Sequence, residues 1–325
     1  MTRATVPFTE ALARGPLLLD GGLSNQLADQ GCDLSGDLWT GRVLAERPDQ
    51  VEAAHTAYAR AGAEVLITAS YQIAGDPALL ERSVRVADRA ARAAGHGVWV
   101  AASVGPYGAV LADGSEYRGR YGLGRGELAA FHRPRIEALL AAGPDVLALE
   151  TFPDSDEAEA LLGVLAGTGA RAWLSYTVAG GRTRAGQPLA EAFAVAADAP
   201  EVIAVGVNCC DPAEVLPALE AAASVTDKPL LAYPNDGSVW EAGTRSWHAP
   251  AAAAPWPVAA WQAAGARLIG GCCRVGPPWI SGLRSTLGPL PPPVGKPVGR
   301  GEAPAHTEAH VPDDQHDRHH RETRH

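Results

Sequence analysis

The chain has 325 residues, of which 46% are hydrophobic and 20% charged, so it is long enough and apolar enough to bury a sizeable core. Its formal net charge of -10 argues against a protein that binds the phosphate backbone of nucleic acids. No apolar run resembles a secretory signal or approaches the roughly 20 apolar residues that span a bilayer. We therefore expect a cytoplasmic protein, with no membrane partner, whose five cysteines are reduced.

Eight short apolar runs follow one another along the chain, and we interpret each as a strand. In chain order they are L-L-L-D-G-G from 17, V-L-I-T-A-S from 65, W-V-A-A-S-V-G from 99, V-L-A-L-E-T from 146, A-W-L-S-Y-T from 172, I-A-V-G-V-N-C from 203, L-L-A-Y-P-N from 230 and L-I-G-G-C-C from 268. Each run is nearly continuous in apolar residues and lacks alternation, which is typical of a parallel sheet buried on both faces.

Stretches rich in Ala, Leu, Glu and Arg separate these runs and predict helices, among them 48–62, 77–95, 126–143 and 154–165. Several open near Pro, Asp or Ser and close on Gly, which are start and stop signals of helices. Pro134 is expected to kink or shorten the third helix. Strands alternating with helices in this way predict a single-domain (β/α)8 TIM barrel, for which about 250 residues is typical. A doubly wound open sheet is the alternative, but no G-x-G-x-x-G follows the first strand.

The composition changes near residue 289. The segment 289–325 is rich in Pro, Gly and charged residues, and it carries six of the ten histidines. Such a segment cannot bury enough apolar surface to offset the entropy of ordering its backbone. We therefore predict a barrel over residues 1–288 and a disordered, solvated tail over 289–325, whose histidines would capture metal ions only loosely.

Polar and sulfur-bearing side chains stand at nearly every predicted strand end, which is where barrel enzymes place their catalytic groups. They are Asp20, Thr68, Ser70, Glu150, Thr151, Tyr176, Asn208, Cys209, Tyr233, Asn235, Cys272 and Cys273. Asp20 and Glu150 are candidates for a general acid/base pair or for anchors of a ligand's ammonium group. The simpler alternative is that each carboxylate caps neighbouring backbone amides.

Three of the cysteines are predicted to converge. Cys209 ends the sixth run and Cys272 with Cys273 ends the eighth, so the two strand ends lie two positions apart around a barrel. Three thiolates that leave one tetrahedral position open are typical of a catalytic zinc site, whereas four ligands close a structural site. Adjacent side chains of a regular strand point to opposite faces, so we expect Gly270 and Gly271 to let the backbone leave β geometry there.

Buried cysteine is also a common apolar core residue, and this structural role is the alternative for the three cysteines above. It is the role expected for Cys32, which lies in the first loop, and for Cys210. Cys210 is also an alternative ligand to its neighbour Cys209, although the position at the strand end favours Cys209.

The motif G-x-N-C at 206–209, together with G-G-C-C at 270–273, resembles the zinc-dependent homocysteine S-methyltransferases. Five further stretches agree, namely L-D-G-G-L from 19, G-C-D-L-S-G-D-L-W-T from 31, T-A-S-Y-Q from 68, L-E-T-F-P from 149 and Y-P-N from 233. The resemblance extends over residues 15–285 and leaves out the tail. L-S-G-x-L-W and T-A-S-Y-Q are more similar to the branch that uses S-methylmethionine or S-adenosylmethionine than to the branch that uses betaine.

The resemblance implies one zinc ion per chain, bound by Cys209, Cys272 and Cys273, with the sulfur of homocysteine in the fourth position. It also implies five residues that hold or frame the amino-acid end of the substrate, namely Asp20, Thr68, Ser70, Glu150 and Asn208. A zinc-bound thiol is deprotonated, so it can attack the methyl carbon of a sulfonium donor and give methionine. The aromatic faces that suit a sulfonium cation are those of Trp39, Tyr71 and Tyr233, for which packing is the alternative role.

Two other functions are weighed against methyl transfer. A zinc hydrolase that activates water usually uses His and carboxylate ligands, but the body of the chain offers only His55, His96, His132 and His248, none at a predicted strand end. A non-enzymatic zinc-binding protein would combine the tail with a structural cysteine site. The sequence leaves open the methyl donor, the oligomeric state, and the choice between homocysteine and a related thiol or selenol.

Overall fold

Eight parallel strands close into a barrel, as the alternating sequence pattern predicts. The structure is a computed structural model, and it describes residues 4–34, 38–241, 246–248 and 255–288. The barrel strands are β1 (Leu17–Leu18), β2 (Val65–Ile67), β3 (Trp99–Val104), β4 (Val146–Phe152), β5 (Ala172–Tyr176), β6 (Val202–Asn208), β7 (Leu230–Tyr233) and β8 (Ala266–Ile269). Each strand pairs with its neighbours in the chain and β8 pairs with β1. Between β1 and β2 the backbone N–H of Asp20 donates to Val65 O at 3.0 Å, which completes the ring.

Twelve α-helices lie in the described part of the chain, most of them between successive strands. They are α1 (Phe8–Arg14), α2 (Leu23–Asp29), α3 (Trp39–Glu46), α4 (Pro48–Arg60), α5 (Pro77–Ala93), α6 (Tyr107–Leu111), α7 (Arg125–Ala141), α8 (Ser155–Leu165), α9 (Leu189–Ala194), α10 (Pro212–Ala223), α11 (Val258–Ala263) and α12 (Pro277–Leu287). A single 3₁₀ turn over Ser115–Tyr117 separates α6 from α7.

Local sequence explains where several of these helices begin. The side chains of Asp76, Asp154 and Asp211 each accept a backbone N–H from the first turn of α5, α8 and α10. An oxygen at this position satisfies a helix N–H that has no partner within the helix. α7 runs without a break from 125 to 141 through Pro134, so this proline does not shorten the helix, and the alternative of a kink stays a prediction.

Two layers of apolar side chains fill the molecule, one inside the barrel and one between the strands and the helices. Along β1 the inward side chain of Leu17 belongs to the inner layer and Leu18 to the outer layer, so both faces of the strand are apolar, as the continuous runs predict. α1 closes one end of the barrel, because Phe8 lies against Trp99 and Trp173 with ring centroids 6.2 and 6.3 Å apart. The carboxyl ends of the strands form the opposite end, which carries the candidate site.

The described part of the chain also contains two short antiparallel ribbons outside the barrel sheet. One pairs Val178–Ala179 with Arg182–Thr183, and the other pairs Val239–Glu241 with Ser246–His248. Among the residues described here, no helix has the length and apolar character needed to cross a bilayer. The predicted tail over 289–325 lies outside the described residues, so its boundary and its disorder stay predictions.

Candidate active site and metal centre

The three predicted thiols meet at the carboxyl end of the barrel. Cys209 directly follows the last residue of β6, and its backbone takes a positive φ of 50°. Cys272 and Cys273 lie in the loop after β8, which ends at Ile269, and so not at the strand end itself. Because the two residues have left the sheet, they are free of the alternation that would send adjacent side chains to opposite faces.

Backbone hydrogen bonds fix this loop against β7. The N–H of Gly270 donates to Ala232 O at 3.0 Å, and the N–H of Cys272 donates to Pro234 O at 2.8 Å. The N–H of Cys273 donates to the side-chain oxygen of Asn235 at 3.2 Å. The loop therefore has one defined position relative to the barrel before any ligand binds.

The two glycines before the thiols are needed for space. Neither takes a positive φ, so the expected conformational freedom is not what the loop uses. A Cβ at Gly270 would lie 2.5 Å from the Cβ of Leu19, and a Cβ at Gly271 would overlap the side chain of Val275. The positive φ falls on Arg274 instead, at 65°.

The geometry of the sulfur atoms fits a tetrahedral metal ion. The Sγ atoms of Cys209, Cys272 and Cys273 all lie within 4.8 Å of one another, and Cys209 Sγ is 3.7 Å from Cys273 Sγ. With Zn–S bonds of about 2.3 Å, two sulfur ligands of a tetrahedral ion lie about 3.8 Å apart. Cys209 is buried, while the other two are partly exposed towards a cavity. Cys210 is buried and does not join this group, and Cys32 is also buried away from it.

The three thiols interact electrostatically with one another, and one of them also contacts a tyrosine. Hydrogen bonds from the Cys272 and Cys273 thiols hold the pKa of Cys209 well below its ordinary value. The pKa values of Cys272 and Cys273 are raised in turn, because each shares its proton with Cys209 in a buried setting. The hydroxyl of Tyr117 lies 3.1 Å from Cys209 Sγ. The three thiols therefore influence one another's pKa values, as expected of groups that share one site.

Glu150 and Thr68 line the cavity beside the thiols. Glu150 accepts hydrogen bonds from Ser103 Oγ and, at 3.2 Å, from Tyr233 Oη. Burial raises the pKa of Glu150 to about 7, against these two hydrogen bonds, and the charge of Cys209 raises it further. A buried carboxylate of this kind is a strong partner for an ammonium group.

Asp20 lies below the cavity, between β1 and β2. One carboxylate oxygen accepts the N–H of Ile67 at 2.9 Å, and the other has no hydrogen-bond partner among the described residues. Burial raises the pKa of Asp20 well above its usual range, and the charge of Glu150 adds to the effect. One oxygen thus has the strand-capping role expected from sequence. Asp20 is not among the described residues that line the cavity, so its contact with a ligand stays a prediction.

Ser70 and Asn208 direct their hydrogen bonds to protein groups. Ser70 Oγ donates to Ser103 O at 2.7 Å and lies 2.7 Å from Thr68 Oγ1. Asn208 accepts the N–H of Thr151 and donates to Thr151 Oγ1, both at 2.7 Å. This double contact holds Thr151 at a φ of 63°, which a β-branched residue rarely adopts. Contact of Ser70 or Asn208 with a substrate stays a prediction.

An open cavity of roughly 800 Å³, counting its mouth, adjoins the thiols. All three predicted aromatic residues, Trp39, Tyr71 and Tyr233, line it. Trp39 is 38% exposed at the start of α3. The backbone of Tyr71 is held in place by Arg135, whose guanidinium donates to the Tyr71 carbonyl oxygen at 3.0 Å.

Several residues of the cavity wall are not among the site residues predicted from sequence, and Gln72, Glu116 and Tyr117 are three of them. Gln72 lies two residues beyond the predicted strand end, and the other two lie on the 3₁₀ turn between α6 and α7. The available signal was S-E-Y at 115–117, a polar and aromatic triplet in the loop after the third predicted strand. No cationic side chain is among the described residues that line the cavity.

Comparison with known proteins gives a consistent set of relatives. The family model for homocysteine S-methyltransferase matches residues 17–287. The homocysteine S-methyltransferase of Escherichia coli (strain K12) is 43% identical over 83% of this chain and 94% of that protein. Homocysteine S-methyltransferase YbgG of Bacillus subtilis (strain 168) is 37% identical over 86% and 99%. The metallated crystal form of the Escherichia coli homocysteine methyltransferase MmuM superimposes with a TM-score of 0.76 and 42% identity, over 86% of this chain and 100% of that one.

Proposed function

The chain belongs to the homocysteine S-methyltransferase family and is a methyltransferase that acts on homocysteine, and on this premise we propose that one zinc ion and a sulfonium donor complete the reaction. The observation that carries the proposal is the group of three thiols within 4.8 Å of one another on the wall of a cavity whose described lining residues include no cation.

Cys209, Cys272 and Cys273 would hold the zinc ion. Three soft thiolate ligands suit zinc, and three protein ligands leave room for a substrate. When bound, the ion supplies a positive charge that lowers the pKa of the acceptor thiol and makes its sulfur nucleophilic at neutral pH. The hydroxyl of Tyr117 lies 3.1 Å from Cys209 Sγ, so it would orient the Cys209 thiolate and restrict the rotation of that side chain.

Glu150 and Thr68 would bind the amino-acid end of homocysteine. Glu150 is held in one position by Ser103 and Tyr233, so its free lone pairs point in a fixed direction for the ammonium group. Tyr233 is itself fixed, because Trp173 Nε1 donates to its hydroxyl at 3.1 Å. The reactive sulfur is thereby placed by a rigid network, which is the way in which positioning accelerates a bimolecular reaction.

The donor would be S-methylmethionine or S-adenosylmethionine. The bond between the donor's sulfonium sulfur and its methyl carbon breaks with both electrons kept by that sulfur, while the acceptor sulfur forms the new bond and its thiol proton is released to water. The sulfonium is a cation, and the aromatic faces of the residues that line the cavity suit it. Methylation of homocysteine, the acceptor, gives methionine, and this places the enzyme in methionine biosynthesis.

All five cysteines are free, and a metal site of reduced thiols functions only where thiols stay reduced. We therefore keep the cytoplasm as the proposed compartment.

A donor panel tests the proposal. The purified protein is loaded with one equivalent of zinc and given homocysteine with S-methylmethionine, S-adenosylmethionine, betaine or a methyl-folate, and methionine is measured. Methionine from the sulfonium donors alone is the expected result. Formation only from betaine or methyl-folate would overturn the donor assignment. Selenohomocysteine as the acceptor tests the breadth of the acceptor site in the same assay.

A metal analysis separates the enzyme from a zinc-storage protein. A chain that ends after residue 288 should keep about one zinc ion, because the three thiols lie before that point. Loss of all bound zinc with the tail would support storage by the tail histidines and contradict the proposed centre.

A further inference from the structure

We infer that Gln72 and Glu116 form a subsite that binds the α-ammonium group of the methyl donor. The inference rests on the proposed function, since its ligand is a sulfonium amino acid. It assigns to two residues outside the strand ends the recognition of a part of the donor that does not react.

Glu116 is a buried acidic residue of the cavity wall. The residue is 6% exposed, it lines the cavity, and its Oε2 has no hydrogen-bond partner among the described residues. Burial raises the pKa of Glu116 to about 7, and the charge of Cys209 raises it further. A buried carboxyl group without a partner is unfavourable for folding, so it is retained where a ligand supplies the missing donor.

Gln72 presents a second acceptor. It is 3% exposed and lines the same cavity. Its Nε2 donates to Ala109 O at 3.1 Å, which determines the orientation of the amide, because a carbonyl oxygen can only accept. The Oε1 atom is thereby left without a donor among the described residues.

The two acceptors are neighbours through the first residues of α6. Ala109 O receives the Gln72 amide, and the backbone N of Glu116 lies 2.5 Å from the point where a Cβ on Gly108 would stand. Glycine at 108 therefore lets the 3₁₀ turn that carries Glu116 pack against α6. The carbonyl of Ala109 in the same helix accepts the hydrogen bond from the Gln72 amide. Both residues therefore belong to the part of the cavity wall that adjoins α6.

An ammonium group matches these acceptors better than the sulfonium does. An ammonium carries three N–H donors, which a carboxylate and an amide oxygen can accept together, while a sulfonium has none. The sulfonium also loses its charge during transfer, so a carboxylate directed at it would stabilise the ground state more than the transition state. The ammonium keeps its charge throughout, so a carboxylate directed at it tightens donor binding equally in both states.

Tyr117, the residue after Glu116, connects this subsite to the metal centre. Tyr117 follows Glu116 on the same turn, and its hydroxyl lies 3.1 Å from Cys209 Sγ. Glu116 is therefore the chain neighbour of a residue that contacts one of the thiols. A donor anchored at its amino end has its sulfonium methyl group held at a defined distance from the acceptor sulfur.

The test compares two donors and two variants. Glu116→Gln removes the charge and keeps the shape, and Gln72→Met removes the amide oxygen and keeps the length. Each zinc-loaded protein is assayed with S-methylmethionine and with 4-(dimethylsulfonio)butanoate, which is the same donor without its amino group. Binding of S-methylmethionine without homocysteine is measured by calorimetry, and zinc content and thermal unfolding monitor the fold.

Glu116→Gln should raise the KM and the calorimetric Kd for S-methylmethionine by about tenfold or more, with the main effect in KM and not in kcat. Its KM for the deaminated donor should change much less, and Gln72→Met should repeat the pattern with a smaller factor. As the matched control, Glu150→Gln should raise the KM for homocysteine instead.

Equal losses with both donors would overturn the inference, as would a rise in the homocysteine KM for Glu116→Gln. A failure of the proposed function has a different signature, because the parent protein itself would then transfer no methyl group from S-methylmethionine. If the parent transfers the methyl group and the variants keep the parent's KM and Kd for S-methylmethionine, the proposed function is supported and the ammonium subsite is refuted.

Discussion

A pair of adjacent cysteines provides a matched test of the metal centre. Cys209 belongs to the thiol cluster, whereas Cys210 is equally buried, is next to it in the chain and has no place in the cluster. Alanine at either position removes one sulfur atom and nothing else. Cys209→Ala is expected to lose zinc and methyl transfer, while Cys210→Ala is expected to keep both.

The size of the effect follows from the number of ligands. Structural zinc sites of four protein ligands bind with apparent free energies of about 10–16 kcal/mol at neutral pH, or about 2.5–4 kcal/mol per ligand. Loss of one thiolate should therefore weaken zinc binding by about two to three orders of magnitude. Cys210→Ala removes only a small buried group, which costs about 1 kcal/mol of stability.

The assay is competition for zinc with a chromophoric chelator, together with metal analysis after dialysis and a methionine assay. The parent and Cys210→Ala should retain about one zinc per chain, and Cys209→Ala far less. The reasoning would be refuted if both variants bound zinc as tightly as the parent. It would also be refuted if Cys210→Ala lost the metal while Cys209→Ala kept it.

Three further predictions concern the acceptor site, the tyrosine ligand contact and acid stability. Glu150→Gln should keep its zinc and raise the KM for homocysteine by about tenfold, because a charged hydrogen bond to the ammonium group is lost; an unchanged KM removes Glu150 from the acceptor site. Tyr117→Phe removes the hydroxyl next to Cys209 Sγ and should weaken zinc binding by about tenfold to a hundredfold, measured by the same chelator competition; an unchanged affinity shows that this contact does not orient the ligand. Burial lowers the pKa of His55 from 6.5 to about 4, so between these values the unfolded chain binds a proton that the folded chain does not. Stability should therefore fall by about 3 kcal/mol as the pH drops from 6.5 to 4, and His55→Leu should flatten this part of the curve in urea unfolding; an equal slope in the variant would contradict this account.

The fold could be predicted because each strand of the barrel carries the same signal. A strand covered by helices outside and by side chains inside must be apolar on both faces, and Leu17 and Leu18 illustrate this on adjacent positions. The thiol cluster could also be predicted, since two strand ends separated by one strand meet at the mouth of a barrel. Both inferences depend only on spacing along the chain.

Other features depend on contacts between distant segments and leave no local pattern. Gly271 is required because Val275 occupies the space of its side chain, and the sequence offers a turn glycine as an equally good interpretation. Glu116 and Gln72 come to the cavity on segments that follow the strands, so a search restricted to strand ends passes over them. The alternation of helices and strands determines where the loops begin, but the path of each loop is set by packing.

The two halves of the thiol cluster are contributed at different times during synthesis. Cys209 follows β6, whereas Cys272 and Cys273 follow β8, the last strand, which is inserted between β7 and β1. A nascent chain therefore has no complete ligand set until β8 and the loop after it have been made. An ion held there would connect the end of β6 to the loop after β8, and so would hold β8 in place from the side of β7.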